Sequence, residues 1–168
     1  MMNIRLSKKL LATVIGLCAV IVAPAATATA QQKGKERSLV GVWRVTITPR
    51  NCSTGLPLPA PPFQGLYTFH DGGTMSEWIA NANVLPGQRS PGHGLWQREQ
   101  GWNEYSLAFV FLRYNASGAY TGRQESRGNI LLSENGNEFT QNSSTAIFDP
   151  AGTVTITSCA SVDGVRFE

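Results

Sequence analysis

Residues 38–48 have the sequence Ser-Leu-Val-Gly-Val-Trp-Arg-Val-Thr-Ile-Thr, in which large apolar and polar side chains alternate. Trp43, Val45 and Ile47 fall on one face of such a segment, and Arg44 falls on the other. Alternation with a period of two is typical of a β-strand that is buried on one face. Gly41, two residues before the tryptophan, leaves room for another backbone, so the indole can close the end of a sheet or barrel.

From residue 63 onward the chain consists of short β-type segments separated by turn sequences rich in Gly, Asn and Asp, the pattern of successive hairpins. These segments predict seven further strands, at residues 63–70, 73–80, 94–99, 103–114, 119–132, 137–148 and 153–161. Nothing after Ser38 has convincing helical periodicity. We therefore predict an all-β fold, a single eight-stranded antiparallel up-and-down barrel, because closure removes two unpaired strand edges. A two-sheet sandwich is the alternative.

The Gly41-x-Trp43 motif is followed at residues 65–76 by Gly-Leu-Tyr-Thr-Phe-His-Asp-Gly-Gly-Thr-Met-Ser. These segments, within the first three strands, resemble bacterial lipocalin-like domains of the wider calycin group. The resemblance implies a secreted barrel that binds a lipophilic ligand in a central cavity. It also implies that an arginine near the last strand packs on Trp43, and Arg166 is the candidate. The long connection after the first strand, here residues 49–62, would then cover the barrel mouth.

Residues 1–30 have the features of a signal peptide, namely a basic start, an apolar stretch at residues 10–22 and a small-residue cleavage site before Gln31. We therefore expect a secreted or periplasmic protein. Residues 31–37 are polar without periodicity and predict a flexible leader, and residues 38–168 form the predicted barrel domain. No later segment approaches the ~20 apolar residues of a spanning helix, so no stable membrane anchor is expected.

The charge balance argues against a nucleic-acid partner. Residues 1–30 carry three of the 14 basic residues and none of the 11 acidic ones, so the remaining chain is formally neutral. From Ser38 onward, 8 arginines face 10 acidic residues, a net charge of −2 with histidine neutral. A surface with this balance is not expected to follow a phosphate backbone.

Cys52 and Cys159 are the cysteines that follow residue 30. An even pair in an oxidising compartment most often forms a disulfide, and we predict one here. A redox site is the alternative, but the sequence contains no Cys-x-x-Cys. The bond would tether the 49–62 connection to the last strand.

The interior of the predicted barrel mixes apolar and small polar side chains. In residues 137–148 the inward face carries Gln141, Ser143 and Thr145, where a tightly filled core would use larger apolar residues. This pattern favours a cavity for a ligand with polar groups, although a solvated strand face gives the same alternation. Residues 105–112 are apolar on both faces, which predicts cover by the 49–62 connection or by a second subunit of a homodimer. A locally thick core is the alternative.

The segment at residues 81–94 is long and punctuated by Gly and Pro, so we expect it at one end of the barrel, where loops usually form the site. Arg89, Ser90 and His93 could present a guanidinium, a hydroxyl and an imidazole to an anionic or carbonyl group. The alternative is an ordered turn in which His93 packs under Trp96. The predicted ligand-binding set consists of Arg89, Ser90, His93, Trp96, Tyr67 and Gln141.

No metal site or cofactor is predicted, because the sequence has only two histidines and no metal-spaced cysteines. No catalytic residue is assigned either, since Ser90 lacks a Gly-x-Ser-x-Gly context. We predict non-catalytic binding of a small lipophilic or amphipathic molecule. Two alternatives remain open, a small cyclase or isomerase that uses Glu77, Glu104 or His93, and a structural or protein-interaction module.

Overall fold

Eight antiparallel strands close into a barrel in the computed structural model of the chain, which describes residues 37–81 and 84–167. The predicted signal peptide, and the leader except for Arg37, lie outside the described residues. The strands are β1 (Gly41–Arg50), β2 (Phe63–Phe69), β3 (Thr74–Ala80), β4 (Gly92–Arg98), β5 (Glu104–Tyr114), β6 (Tyr120–Leu132), β7 (Glu138–Phe148) and β8 (Val154–Arg166). A 3₁₀ turn at Pro86–Gln88 precedes β4. No helix in the described ranges is long and apolar enough to span a membrane.

Each strand pairs with its neighbour in sequence, and β1 also pairs with β8. Val45 of β1 lies between Gly65 of β2 and Gly164 of β8, so the sheet has no open edge at this point. This pairing confirms the predicted up-and-down barrel. The alternative, a two-sheet sandwich, is wrong. Among the described strands, the closed ladder leaves no long edge for a second chain to extend.

Most strand boundaries lie within one or two residues of those predicted, but the first strand begins at Gly41 instead of residue 38, and the first and last strands extend beyond their predicted ends. The first strand continues to Arg50 through Pro49, whose carbonyl accepts a hydrogen bond from the Leu58 amide on the side away from β8. The missing N–H of this proline therefore removes no bond of the ladder with β8. The last strand runs to Arg166 instead of residue 161, because Asp163 and Gly164, which resemble turn residues, pair with β1 and β7.

Aromatic side chains fill the end of the barrel where β1 begins, which we call the closed end. The rings of Trp43 and Phe139 lie 4.9 Å apart edge to face, and Phe69 lies 6.2 Å from Phe139. The Trp43 indole is fully buried and donates a hydrogen bond of 2.8 Å to the Leu39 carbonyl. Edge-to-face pairs of this kind add about 0.5–1.5 kcal/mol each beyond their burial.

Arg166 covers one face of the Trp43 indole, with its guanidinium carbon 4.2 Å from the ring centre. Gly41 adopts a φ of +134°, and a Cβ there would approach Arg166 Nη1 to 2.9 Å. The glycine thus leaves room for the guanidinium that closes this end, rather than for a neighbouring backbone.

The disulfide between Cys52 and Cys159 is formed, as predicted. β1 extends to Arg50, which pairs directly with Cys159. Cys52 follows Arg50 by only two residues, so it lies close to Cys159. Arg50 also holds the connection, since it donates hydrogen bonds to Ser161 Oγ (2.6 Å) and to the Gly55 carbonyl (2.9 Å). The cross-link spans 107 residues, for which the loop-entropy model gives stabilisation of up to roughly 4–5 kcal/mol.

The outer face of β5 stays partly exposed. Val110 and Leu112 are 38% and 42% exposed, whereas Phe109 and Phe111 are buried inside the barrel. The described part of the 49–62 connection does not bury this face. A second subunit at residues 105–112 stays a prediction.

Candidate functional site

A cavity of about 310 Å³ lies inside the barrel at the end opposite Trp43. We call this end the mouth. Leu58, from the connection after β1, and Val84, from the segment after β3, lie at its rim. Aromatic rings fill the closed end, so the cavity occupies only the part of the interior that is next to the mouth.

One wall of the cavity is apolar. It consists of inward side chains of β1, β2, β3, β5 and β8, namely Ile47, Phe63, Ile79, Phe109, Phe111 and Val162. Tyr67 also lines the cavity, with its ring centre 6.0 Å from that of Phe109. Flat rings at this position give a ligand apolar contact area with a defined orientation.

The opposite wall, on β6, β7 and β8, is rich in hydroxyl groups. Ser126 and Thr145 are direct cross-strand neighbours, and their hydroxyl oxygens lie 2.8 Å apart. The Ser143 hydroxyl donates to the Ala160 carbonyl at 3.3 Å, and Gln124 and Ser158 complete this wall. Ser143 and Thr145, two of the polar residues predicted for the inner face of β7, therefore line a cavity.

A buried ion pair joins Arg89 to Glu77 beside the cavity. The Arg89 guanidinium donates from Nη2 to Glu77 Oε1, and the two side chains are 5% and 0% exposed. Arg89 also stacks on the Phe111 ring, at 3.8 Å from the ring centre, and donates from Nε to the Ser90 carbonyl. The ion pair connects the segment after the 3₁₀ turn to β3.

The alternation of β3 explains why a carboxylate is inside. Met75 and Glu77 are the buried residues of this strand, so an acidic residue occupies an inward position. Its cross-strand neighbours are Tyr67 on β2 and Gly92 on β4. A Cβ at residue 92 would overlap the Glu77 carboxyl group, so glycine makes the room that this side chain needs.

Burial controls the ionisation of this group. Desolvation raises the pKa of Glu77 to about 7, and the charge and hydrogen bond of Arg89 oppose the rise. Burial and the charge of Glu77 also raise the pKa of Tyr67 above its ordinary value. Glu77 Oε2 has no hydrogen-bond partner within the described residues. Around neutral pH, the carboxyl group can therefore exchange a proton.

A second arginine lies beside the ion pair. Arg113, at the end of β5, lines the cavity together with Arg89, and the two residues form an isolated antiparallel bridge. Residues paired across such a bridge project to the same side of the sheet. The ion pairs found in the described ranges do not include Arg113.

The structure places the six predicted ligand-binding residues differently. Arg89 and Tyr67 line the cavity, and Gln141 is buried between Ile130 and Val162, one step deeper along β7 than Ser143. Neither polar atom of the Gln141 amide has a partner among the described residues.

The other three predicted residues lie elsewhere. The Ser90 hydroxyl accepts from the Leu112 amide and donates to the Pro91 carbonyl, so it holds the loop against β5. His93 is exposed on the outer face of β4, and Trp96 packs near the closed end, where it donates to the His70 carbonyl. His93 and Trp96 are three positions apart on the same strand, so they project to opposite faces, and His93 does not pack under Trp96.

Sequence reasoning missed Arg113 and gave Glu77 only an enzymatic role. Arg113 continues the inward series of β5 (Tyr105, Leu107, Phe109, Phe111), and this parity could have identified it. Glu104, the other acidic candidate, is exposed at the beginning of β5. No group of three His, Cys, Asp or Glu side chains in the described ranges could hold a metal ion.

Comparison with known proteins adds no family. No model of a protein family matches the chain, and a search of curated proteins found no significant match.

Proposed function

We propose that the chain is a lipocalin-like protein that binds a small lipophilic or amphipathic molecule inside its barrel, without catalysis. The observation that carries the proposal is the cavity of about 310 Å³ with one apolar and one hydroxyl-rich wall. Ligand sites typically have volumes of about 300–1,000 Å³ and a few polar groups on an apolar lining. This cavity is at the lower end, which favours a small ligand.

Two further features support the proposal. The packing of Arg166 on Trp43 is the contact that the lipocalin resemblance implies. The Cys52–Cys159 disulfide fits an oxidising compartment, as expected for a secreted or periplasmic binding protein.

The proposal is tested by filling the cavity. Ser143→Phe places a ring in the cavity, whereas Ser144→Phe adds the same ring to the exposed face of the same strand. We expect wild type and Ser144→Phe to enhance the fluorescence of the apolar dye Nile red, and Ser143→Phe to lose this enhancement while circular dichroism shows an intact barrel. Unchanged dye binding by a folded Ser143→Phe variant would contradict binding in the cavity. Mass spectrometry of molecules that copurify with the wild-type protein would identify the natural ligand.

Catalysis is the second candidate, because Glu77 is a buried carboxyl group with a pKa of about 7. A general acid or base works best when its pKa is near the operating pH, and perturbed pKa values are concentrated at functional sites. A cyclase or isomerase would need Glu77 Oε2 to exchange a proton with the bound molecule. Conversion of the copurified ligand by wild type but not by Glu77→Gln would support this candidate, whereas an unchanged ligand in both would leave binding alone.

A further inference from the structure

Two arginines with one carboxylate partner form the charged part of the cavity. Arg89 and Arg113 face the same side of the bridge that pairs them, and like charges directly opposite each other in a sheet destabilise it. Glu77 compensates Arg89 only. The second positive charge therefore has no counter-charge from the described chain, in a partly buried place where desolvation makes such a charge costly.

The two cavity arginines form a local excess of positive charge in a domain that is acidic overall. The domain from Ser38 onward has 8 arginines and 10 acidic residues. Nevertheless, the cavity lining contains Arg89 and Arg113 and no Asp or Glu, since Glu77 lies behind Arg89. The interior is thus positively charged within a domain whose net charge is negative, and a low-dielectric cavity with one sign of charge concentrates ions of the other sign.

We propose that the ligand of this cavity is a small amphiphile with an anionic head group, a carboxylate in the simplest case, bound at the mouth by Arg113 with Arg89 beside it. This inference rests on the proposed function. A guanidinium matches the two oxygens of a carboxylate with two parallel hydrogen bonds, and such charge-assisted bonds are stronger than neutral ones.

The positions of the apolar residues fix the orientation of the ligand. Arg113 is the last inward residue of β5 before its turn, and Phe111 and Phe109 follow it down the same strand towards the closed end. A head group at Arg113 therefore places an apolar tail against these two rings. The hydroxyls of Ser126 and Thr145 already hydrogen-bond to each other. They therefore need a polar partner from the ligand less than the uncompensated guanidinium does.

The experiment compares two ligands of equal chain length and different charge. Isothermal titration calorimetry with octanoate and with octanol is carried out on the wild-type chain and on Arg113→Gln. We expect wild type to bind octanoate at least about tenfold more tightly than octanol, and Arg113→Gln to lose most of that difference because its affinity for octanoate falls much more than its affinity for octanol. The matched control is Arg127→Gln, which removes an equal charge from an outer position where the side chain is 72% exposed, and which we expect to change neither affinity.

The outcomes separate the two proposals. Octanol binding that equals or exceeds octanoate binding, or an octanoate affinity that Arg113→Gln leaves unchanged, overturns the anionic head group but leaves ligand binding standing. A decrease of the same size in Arg127→Gln would show an effect of overall charge and would also overturn the inference. If neither compound binds to wild type, the binding function itself fails, and the inference fails with it.

Discussion

The guanidinium of Arg166 joins three separate parts of the chain above the indole of Trp43. It donates hydrogen bonds to the carbonyls of Ser38 (2.6 Å), Val40 (2.8 Å) and Gly136 (2.9 Å from Nε) while stacking on the ring. The entry to β1, the turn before β7 and the end of β8 therefore meet at one side chain. The closed end depends on this planar, forked geometry as well as on the positive charge.

Arg166→Lys is expected to destabilise the barrel by about 3 kcal/mol, because an ammonium group keeps the charge but cannot reach all three carbonyls. Urea unfolding followed by tryptophan fluorescence measures the change. The control is Arg44→Lys on the exposed face of β1, where we expect a change within about 0.5 kcal/mol. Equal stability of the two variants would show that charge alone is sufficient at the closed end.

Glu77 is expected to make the stability of the barrel depend on pH. Its pKa is raised from 4.5 in the unfolded chain to about 7 in the folded one, so between these values the folded state binds the extra proton. Stability due to this group is therefore fully present below about pH 4.5 and is lost as pH rises to about 7, by roughly 3 kcal/mol in total. The groups that face the carboxyl are Arg89 from the loop and Tyr67 from β2, while β4 contributes only Gly92.

Urea unfolding of wild type and Glu77→Gln at several pH values across this range measures the effect. The difference in unfolding free energy between the two proteins should change with pH in the stated direction, because other titrating groups are common to both. A constant difference would mean that Glu77 is ionised throughout, held by Arg89.

Gly92→Ala tests the room made for the ion pair. The added methyl overlaps the Glu77 carboxyl group, and overpacking of this kind costs about 1–3 kcal/mol. Gly87→Ala is the control, because a Cβ there meets nothing within 4 Å. Thermal unfolding should show a clear loss for Gly92→Ala and almost none for Gly87→Ala, and similar melting temperatures would indicate that the carboxyl can move away.

Replacement of both disulfide cysteines by serine should lower the free energy of unfolding by up to about 4–5 kcal/mol, through the entropy of a 107-residue loop. Chemical denaturation of the double variant and of oxidised wild type measures this loss. We expect the barrel to remain folded, because the β1–β8 ladder does not require the bond. A double variant as stable as wild type would indicate that the unfolded chain is already constrained.

The sequence predicted the parts of the fold that local patterns determine. Hairpin turns separated the strands, and the two cysteines had only each other as partners after residue 30. The site was harder to predict from the sequence than the fold, because it depends on which residues the strand register brings together. Arg89 and Glu77 are 12 residues apart, and their contact requires a loop whose path the sequence does not specify. His93 and Trp96, close in sequence, are separated because strand parity puts them on opposite faces.

The β1–β8 ladder also determines where another molecule can be attached to the barrel without blocking the mouth. The Phe167 amide donates to the Val42 carbonyl, and Arg166 contacts Ser38, so both ends of the described barrel emerge at the closed end. A fusion partner, an affinity tag or a surface linkage at either end would leave the mouth free. The same proximity suits circular permutation, in which a short peptide joins the two ends and new termini are cut at the exposed turn around residues 115–118. Such a permutant would make the barrel a reporter module in which a fluorophore at the mouth signals occupancy.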